Sequence, residues 1–372
     1  MPDNLSLCVH SIVKEVSGQL KPPLIFDGET KVTKGGSLLS PLSIFNGRLF
    51  ASSKNYLVCY DLESSDIIWQ REEKSMIGNP KAGEKNRIYL YLSNGPACLD
   101  ARTNQVIWSG SGAPNEWIVS ESEKTIFYID NDIEPEPLIC RSKSTGKEIW
   151  RLIETHGFPS KVAIEREVVV IMGSKGFHVC KEPTGELLWD ATNEEWLKKY
   201  FPDRSFGHCT MGPLIDGVLY VGYDGDTGGL LVAIEIESGK IYWSYELEKP
   251  HCPATIIFSG DKLYFSIDQG WGSNNYLSCV DAKSGRLIYQ TEENITVAGC
   301  VNPIMVNNYF IGGMGQYLSF FDIERREFVW RYKHKKKKSI FGGAICVYND
   351  QLITYDNSEK EIYWFRCKPQ KK

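Results

Sequence analysis

The 372-residue sequence predicts an all-β fold, an eight-bladed propeller of four-stranded antiparallel sheets. Three observations lead there. A short segment ending in an aromatic residue returns seven times along the chain. Its copies are spaced at a propeller-like period. Strand patterns left over at the two ends add up to one more sheet, and pairing them removes the exposed edges of an open ring.

The copies are "YLVCYDLESSDIIW" ending at Trp69, "PACLDARTNQVIW" at Trp108, "LICRSKSTGKEIW" at Trp150 and "HVCKEPTGELLW" at Trp189. They continue with "AIEIESGKIYW" at Trp243, "YLSCVDAKSGRLIY" at Tyr289 and "YLSFFDIERREFVW" at Trp330. Successive aromatics lie 39, 42, 39, 54, 46 and 41 residues apart. Eight residues before each aromatic stands an acid in five copies (Asp61, Asp100, Glu235, Asp281, Asp322), with Ser142 and Lys181 departing. Such an acid caps a turn by accepting backbone N–H groups. Four residues before the aromatic is Gly146, Gly185, Gly239 or Gly285, where a tight hairpin needs a positive φ; Asn104 tolerates the same region. Ten before it is a small apolar residue: Cys59, Cys98, Cys140, Val179, Ala233 or Cys279, with Phe320 the exception. Cysteine there packs as a small hydrophobe. The aromatics are expected to lie flat between neighbouring sheets and dock each blade onto the next.

Upstream of each hairpin are two more strand patterns, such as "LLSPLSIFNG" and "RLFASS" before Trp69, and "PATIIFSG" and "KLYFSID" before Tyr289. Alternating apolar residues between Asn-Gly, Asp-Gly and Ser-Gly turns make each unit four strands, A to D from the inside out. After Trp330 only three strands remain, "FGGAICVYND", "QLITYD" and "EIYWFRC". The orphan "LSLCVHSIV" supplies the fourth, so residues 5–13 are the predicted closing strand of a single domain spanning residues 1–372.

The acid–x₃–Gly–x₃–Trp hairpin preceded by Ala or Cys resembles the tryptophan-docking repeat of the pyrroloquinoline-quinone (PQQ)-like β-propeller family, and the resemblance runs through all seven copies. It implies the propeller fold. The family includes quinoprotein alcohol dehydrogenases, a lipoprotein of the bacterial outer-membrane barrel-assembly machine, and lone cytosolic propellers of toxin-immunity loci. A shared fold does not choose among these. In many of the dehydrogenases an adjacent Cys–Cys disulfide lies against the quinone. This chain has no Cys–Cys dipeptide and is much shorter. The resemblance is therefore to the non-enzymatic lone propellers, with no catalytic residues and no cofactor expected.

The formal net charge is −5, which gives no electrostatic reason to expect nucleic acid. No apolar run approaches the roughly 18 residues of a membrane span. The segment "MPDNLSLCVHSIV" lacks the basic and apolar regions of a signal peptide, so the expected location is cytoplasmic. Eleven cysteines, an odd number with no short framework, read as reduced thiols.

Four features are candidates for function. "YDGDTGG" (223–229) is rich in oxygen ligands, with Asp224 and Asp226, but lacks the spacing of a calcium loop and reads as a B–C connection. His208, Cys209, His251, Cys252 and Cys300 fall near the starts of three successive A strands; zinc or copper accepts such a set, yet channel packing accounts for the placement. "KHKKKKS" (333–339) reads as a solvated loop, with Lys335–Lys338 as an alternative docking run. The 54-residue spacing marks an insert at residues 191–206, in which Asn193 caps a short helix stopped by Pro202. Trp196, Tyr200 and Phe201 on that helix, with Trp271 in "DQGWGSNN", are the predicted partner-binding residues; the opposing reading is an insert that plugs the ring's own channel. The expected function is a monomeric, non-catalytic protein-binding propeller, an immunity or scaffold protein. The alternative is an oxidoreductase using PQQ or a channel metal.

Overall fold

The computed structural model describes residues 20–31, 42–53, 55–74, 80–83, 86–111, 116–130, 136–153, 157, 159–173, 175–247, 253–267, 276–291, 303–314, 317–335, 345–356 and 361–367. They form eight four-stranded antiparallel sheets. In seven of these, strand order in space follows the chain. Blade 1 is representative, with strands Ser43–Phe45, Arg48–Ser53, Tyr56–Asp61 and Ile67–Glu72. Strands B and C are buried on both faces, whereas strand D alternates between exposed and half-buried residues. Eight apolar clusters stitch the ring together, each joining two adjacent blades, including one that joins blade 8 to blade 1.

The repeat positions meet in space. The small residue of strand C sits directly across from the docking aromatic of strand D: Cys59 from Trp69, Cys98 from Trp108, Cys140 from Trp150, Val179 from Trp189, Ala233 from Trp243 and Cys279 from Tyr289. A bulge follows at each pair and turns the ring towards the next blade. Burial pushes the thiols of Cys59, Cys98 and Cys140 up to about 12, so these are inert packing groups.

Five indoles then reach the next blade. The Nε1 donates to the carbonyl one residue past the turn-acid position of the following blade, which Ser142 and Lys181 fill in blades 3 and 4: Trp69 to Ala101 (3.0 Å), Trp108 to Lys143 (2.9 Å), Trp150 to Glu182 (2.7 Å), Trp189 to Ile236 (2.6 Å) and Trp243 to Ala282 (3.0 Å). The Tyr289 hydroxyl makes the same bond to Ile323 at 3.3 Å. The glycines serve two purposes. Gly146 and Gly285 have φ near +70°, and a Cβ on either would lie 2.3–2.4 Å from the Trp108 or Trp243 ring. Where the turn carries Arg326 instead, the ring facing it is Tyr289, with the guanidinium 4.4 Å from the ring centre.

The ring closes from the N-terminus, but not through residues 5–13, which lie outside the described residues. The closing strand is Leu24–Lys31, paired as strand D with Glu361–Cys367, beyond Gln351–Asp356 and Cys346–Tyr348. Here the repeat is inverted. Gly28 occupies the place of the docking aromatic, and Trp364 takes the place of the small residue opposite it. The bulky side chain has moved from the outer strand to the inner one, where Trp364 packs against Leu49, Val58 and Tyr60 of blade 1. The carbonyl that an indole would take, that of Leu62, is reached by Gln351 Nε2 at 3.2 Å.

The turn acids act as caps. Asp61 Oδ1 accepts from the N–H of Glu63 and Ser64, Asp100 from Arg102 and Thr103, and Asp322 from Glu324 and Arg325. The backbone N–H of Ser64 holds Asp61 below the usual carboxylate range, and the Ser284 hydroxyl and N–H do the same for Asp281. Lowered folded values mean stabilisation that is complete above the unfolded value of about 4 and is lost as pH falls through the folded one. The melting temperature is therefore expected to fall on acidification from about pH 5 to 3. Replacing Asp61 and Asp281 by Asn should make that fall shallower, as read from melts of parent and variant across the range.

Candidate functional site

The insert begins where strand D of blade 4 (Leu187–Thr192) runs into the helix Asn193–Lys198. Thr192, not Asn193, is the N-cap: its side chain accepts from the Glu195 N–H, and the Glu195 carboxylate returns to the Thr192 hydroxyl at 2.9 Å. The spacing is that of a capping box, but the Glu195 carboxylate accepts from the Thr192 hydroxyl. Chain reversal after the helix is fixed by the N–H groups of Tyr200 and Phe201, both donating to the Leu197 carbonyl.

The structure overturns the placement of Trp196 on a contact surface. It is only 5% exposed and lies in the cluster joining blades 4 and 5. Its ring meets Phe177 edge-on at 6.3 Å, and its Nε1 donates to the Gly239 carbonyl of the blade 5 turn at 3.0 Å. Trp189 already docks on that turn, so this seam carries two indoles. An indole with an unfilled seam beside it gains more from burial than from water, which is why the helix packs down.

Tyr200 stands on this base. It is 42% exposed, and its ring is 5.7 Å from that of Trp196. Phe201 is half-buried, packed edge-on against Phe206. Arg204 ties the far end down: its guanidinium bonds the Gly228 carbonyl, stacks over Phe206 at 5.2 Å and approaches Glu246 at 3.5 Å. Trp271 lies outside the described residues.

Within "YDGDTGG", strand B of blade 5 runs on through Gly225 (Val218–Gly225), and strand C begins at Leu230. Asp226 Oδ1 accepts from the Thr227 N–H at 2.9 Å and from the Ser205 N–H at 3.4 Å, so it joins the B–C connection to the end of the insert. Of the Cys/His series, Cys209 lies in strand A of blade 5 (Phe206–Ile215) with its Sγ 3.6 Å from Met172 Sδ. The side chain of His208, together with His251, Cys252 and Cys300, lies outside the described residues. Lys335 places its ammonium 5.6 Å from the Phe26 ring of the closing strand; residues 336–338 lie outside the described residues. No helix of the described residues is long and apolar enough to cross a membrane.

Residues 177–339 match the profile of the family described as outer membrane protein assembly factor BamB. The chain is an eight-bladed β-propeller, and that part of it is similar to this family. No curated protein sequence matches the chain. Among solved structures, the propeller is similar to BamB from Moraxella catarrhalis at 15% identity, with 92% of this chain and 99% of that one covered and a TM-score of 0.62. Sqt1 from Saccharomyces cerevisiae is similar at 10% identity, 96% and 99% coverage and a TM-score of 0.67. A quinohemoprotein alcohol dehydrogenase from Comamonas testosteroni is similar at 10% identity, 94% and 77% coverage and a TM-score of 0.62. At such identities the likeness is one of fold.

The sequence has no adjacent cysteine pair. The repeat cysteines, Cys59, Cys98, Cys140 and Cys279, are buried one to a blade under the docking rings.

Proposed function

We propose that this propeller is a non-catalytic platform that binds another protein through the insert of residues 191–206, as a cytosolic immunity or scaffold protein does. The supporting observation is the pairing of a buried Trp196 with an exposed Tyr200 in the one hairpin-to-hairpin interval stretched to 54 residues. An aromatic held in place by packing loses little entropy on binding, and such pre-organised aromatics carry most of the energy of protein interfaces.

The test is affinity capture from native lysate, then calorimetry with the recovered protein. A saturable one-to-one complex with the purified propeller is the expected result. A purified protein with a quinone absorbance band that turns over alcohols, and no saturable protein partner, would overturn the reading.

A further inference from the structure

Blades 3 and 4 break the repeat together. Where five blades place an acid, they carry Ser142 and Lys181. The next residue, apolar in those five (Leu62, Ala101, Ile236, Ala282, Ile323), is Lys143 and Glu182. Both charged residues are buried, at 8% and 7% exposure. Burying a charge is costly unless it is paired, and departures of this kind gather at functional sites.

Lys143 is fully compensated. Its Nζ is 2.8 Å from the Glu121 carboxylate and 2.7 Å from the Ser122 carbonyl, and it lies 5.1 Å from the centre of the Tyr89 ring. Glu182 is not. Its Oε1 accepts from the Thr125 hydroxyl at 2.6 Å and from the Ser122 hydroxyl, while Oε2 has no protein partner and no cation pairs with the carboxylate among the described residues. The two side chains line one cavity of about 500 Å³ between blades 2, 3 and 4, with Tyr89, Ile149 and Pro183 as apolar wall and Glu167 at its edge. That volume suits a small ligand or a single long side chain.

We propose that this cavity binds a primary ammonium or guanidinium group on Glu182 Oε2. The hydroxyls of Ser122 and Thr125 bond Oε1 and leave Oε2 as an acceptor in the cavity lining, so the ligand supplies N–H donors. The cations that line the cavity are engaged, Lys143 with Glu121, Lys124 with Glu167 at 3.4 Å and Arg87 with the Lys143 carbonyl, whereas Glu182 has no cation of its own among the described residues. The alkyl stem of the ligand lies along Tyr89, Ile149 and Pro183, as the stems of Lys and Arg do on apolar surface. A free diamine and a basic side chain of a bound protein share this chemistry.

The test is calorimetric titration of the full chain with three probes: putrescine, N-acetyl-lysine methylamide and N-acetyl-norleucine methylamide. Both amines should bind the parent and the norleucine derivative should not. Tighter binding of putrescine assigns the site to free diamines, and tighter binding of the lysine derivative assigns it to a protein side chain. Glu182→Gln keeps an acceptor for Thr125 and Ser122 and should weaken amine binding at least tenfold. Pro183→Trp, at an exposed position, should weaken it by filling the cavity mouth, and it serves where the first variant does not melt like the parent. Binding of the norleucine derivative equal to that of the amines, no amine binding by the parent, or full affinity in either folded variant overturns the proposal.

Discussion

Trp150→Ala is expected to lower the stability of the propeller by about 3–5 kcal/mol. The ring lies 5.7 Å from Phe127, directly across from Cys140, and over Gly185, where a Cβ would come within 2.8 Å of it. Truncation leaves a cavity in the seam between blades 3 and 4 and strands the Glu182 carbonyl, which Nε1 reaches at 2.7 Å. The neighbouring sheet cannot collapse into the gap, because its own strands are held by the next blade. Trp150→Phe keeps most of the packing and loses the hydrogen bond, a loss of about 1 kcal/mol plus the smaller ring's contacts. Tyr289→Trp restores the residue common to the other seams and should be mild. Thermal and urea melts of the three variants check this order; a parent-like melt for Trp150→Ala contradicts the docking role.

Deletion of residues 1–31 is expected to convert the protein into aggregating material. Without Leu24–Lys31, strand Glu361–Cys367 becomes the edge of blade 8. That strand carries Tyr363 and Phe365, both buried in the parent between blades 7 and 8. A long apolar edge with free N–H and C=O groups is a template for pairing with another chain. Size-exclusion chromatography and melts decide the matter. A deletion that stays monomeric with the parent's melt contradicts closure by this strand.

How legible each feature is in the sequence follows from how local its cause is. The docking aromatics, turn acids and glycines could be read because each keeps its spacing within a hairpin that recurs along the chain. Residues 24–31 could not, because the closing blade inverts the rule: Gly28 stands where the aromatic is sought, and its counterweight Trp364 lies at the other end of the chain. The alternation at residues 5–13 looks more like a strand than residues 24–31, which hold Gly28 and follow Pro22 and Pro23. The insert's helix was legible from Asn193 and Pro202, though the N-cap is Thr192. The burial of Trp196 was not, since its acceptor, the Gly239 carbonyl, lies on the next blade. Ser142 and Lys181 were visible as departures, but only the fold shows that the following residues, Lys143 and Glu182, share one cavity.

The central claim is that the insert has a structural foot, Trp196, and a contact residue, Tyr200. Paired measurement of melting temperature and partner affinity tests it most directly. Trp196→Ala should lower the melt, because it empties the seam between blades 4 and 5. Tyr200→Ala should leave the melt nearly unchanged, within about 0.5 kcal/mol of stability, and should weaken the complex by about 2–4 kcal/mol, some thirtyfold or more. Parent affinity in a folded Tyr200→Ala protein would contradict the account.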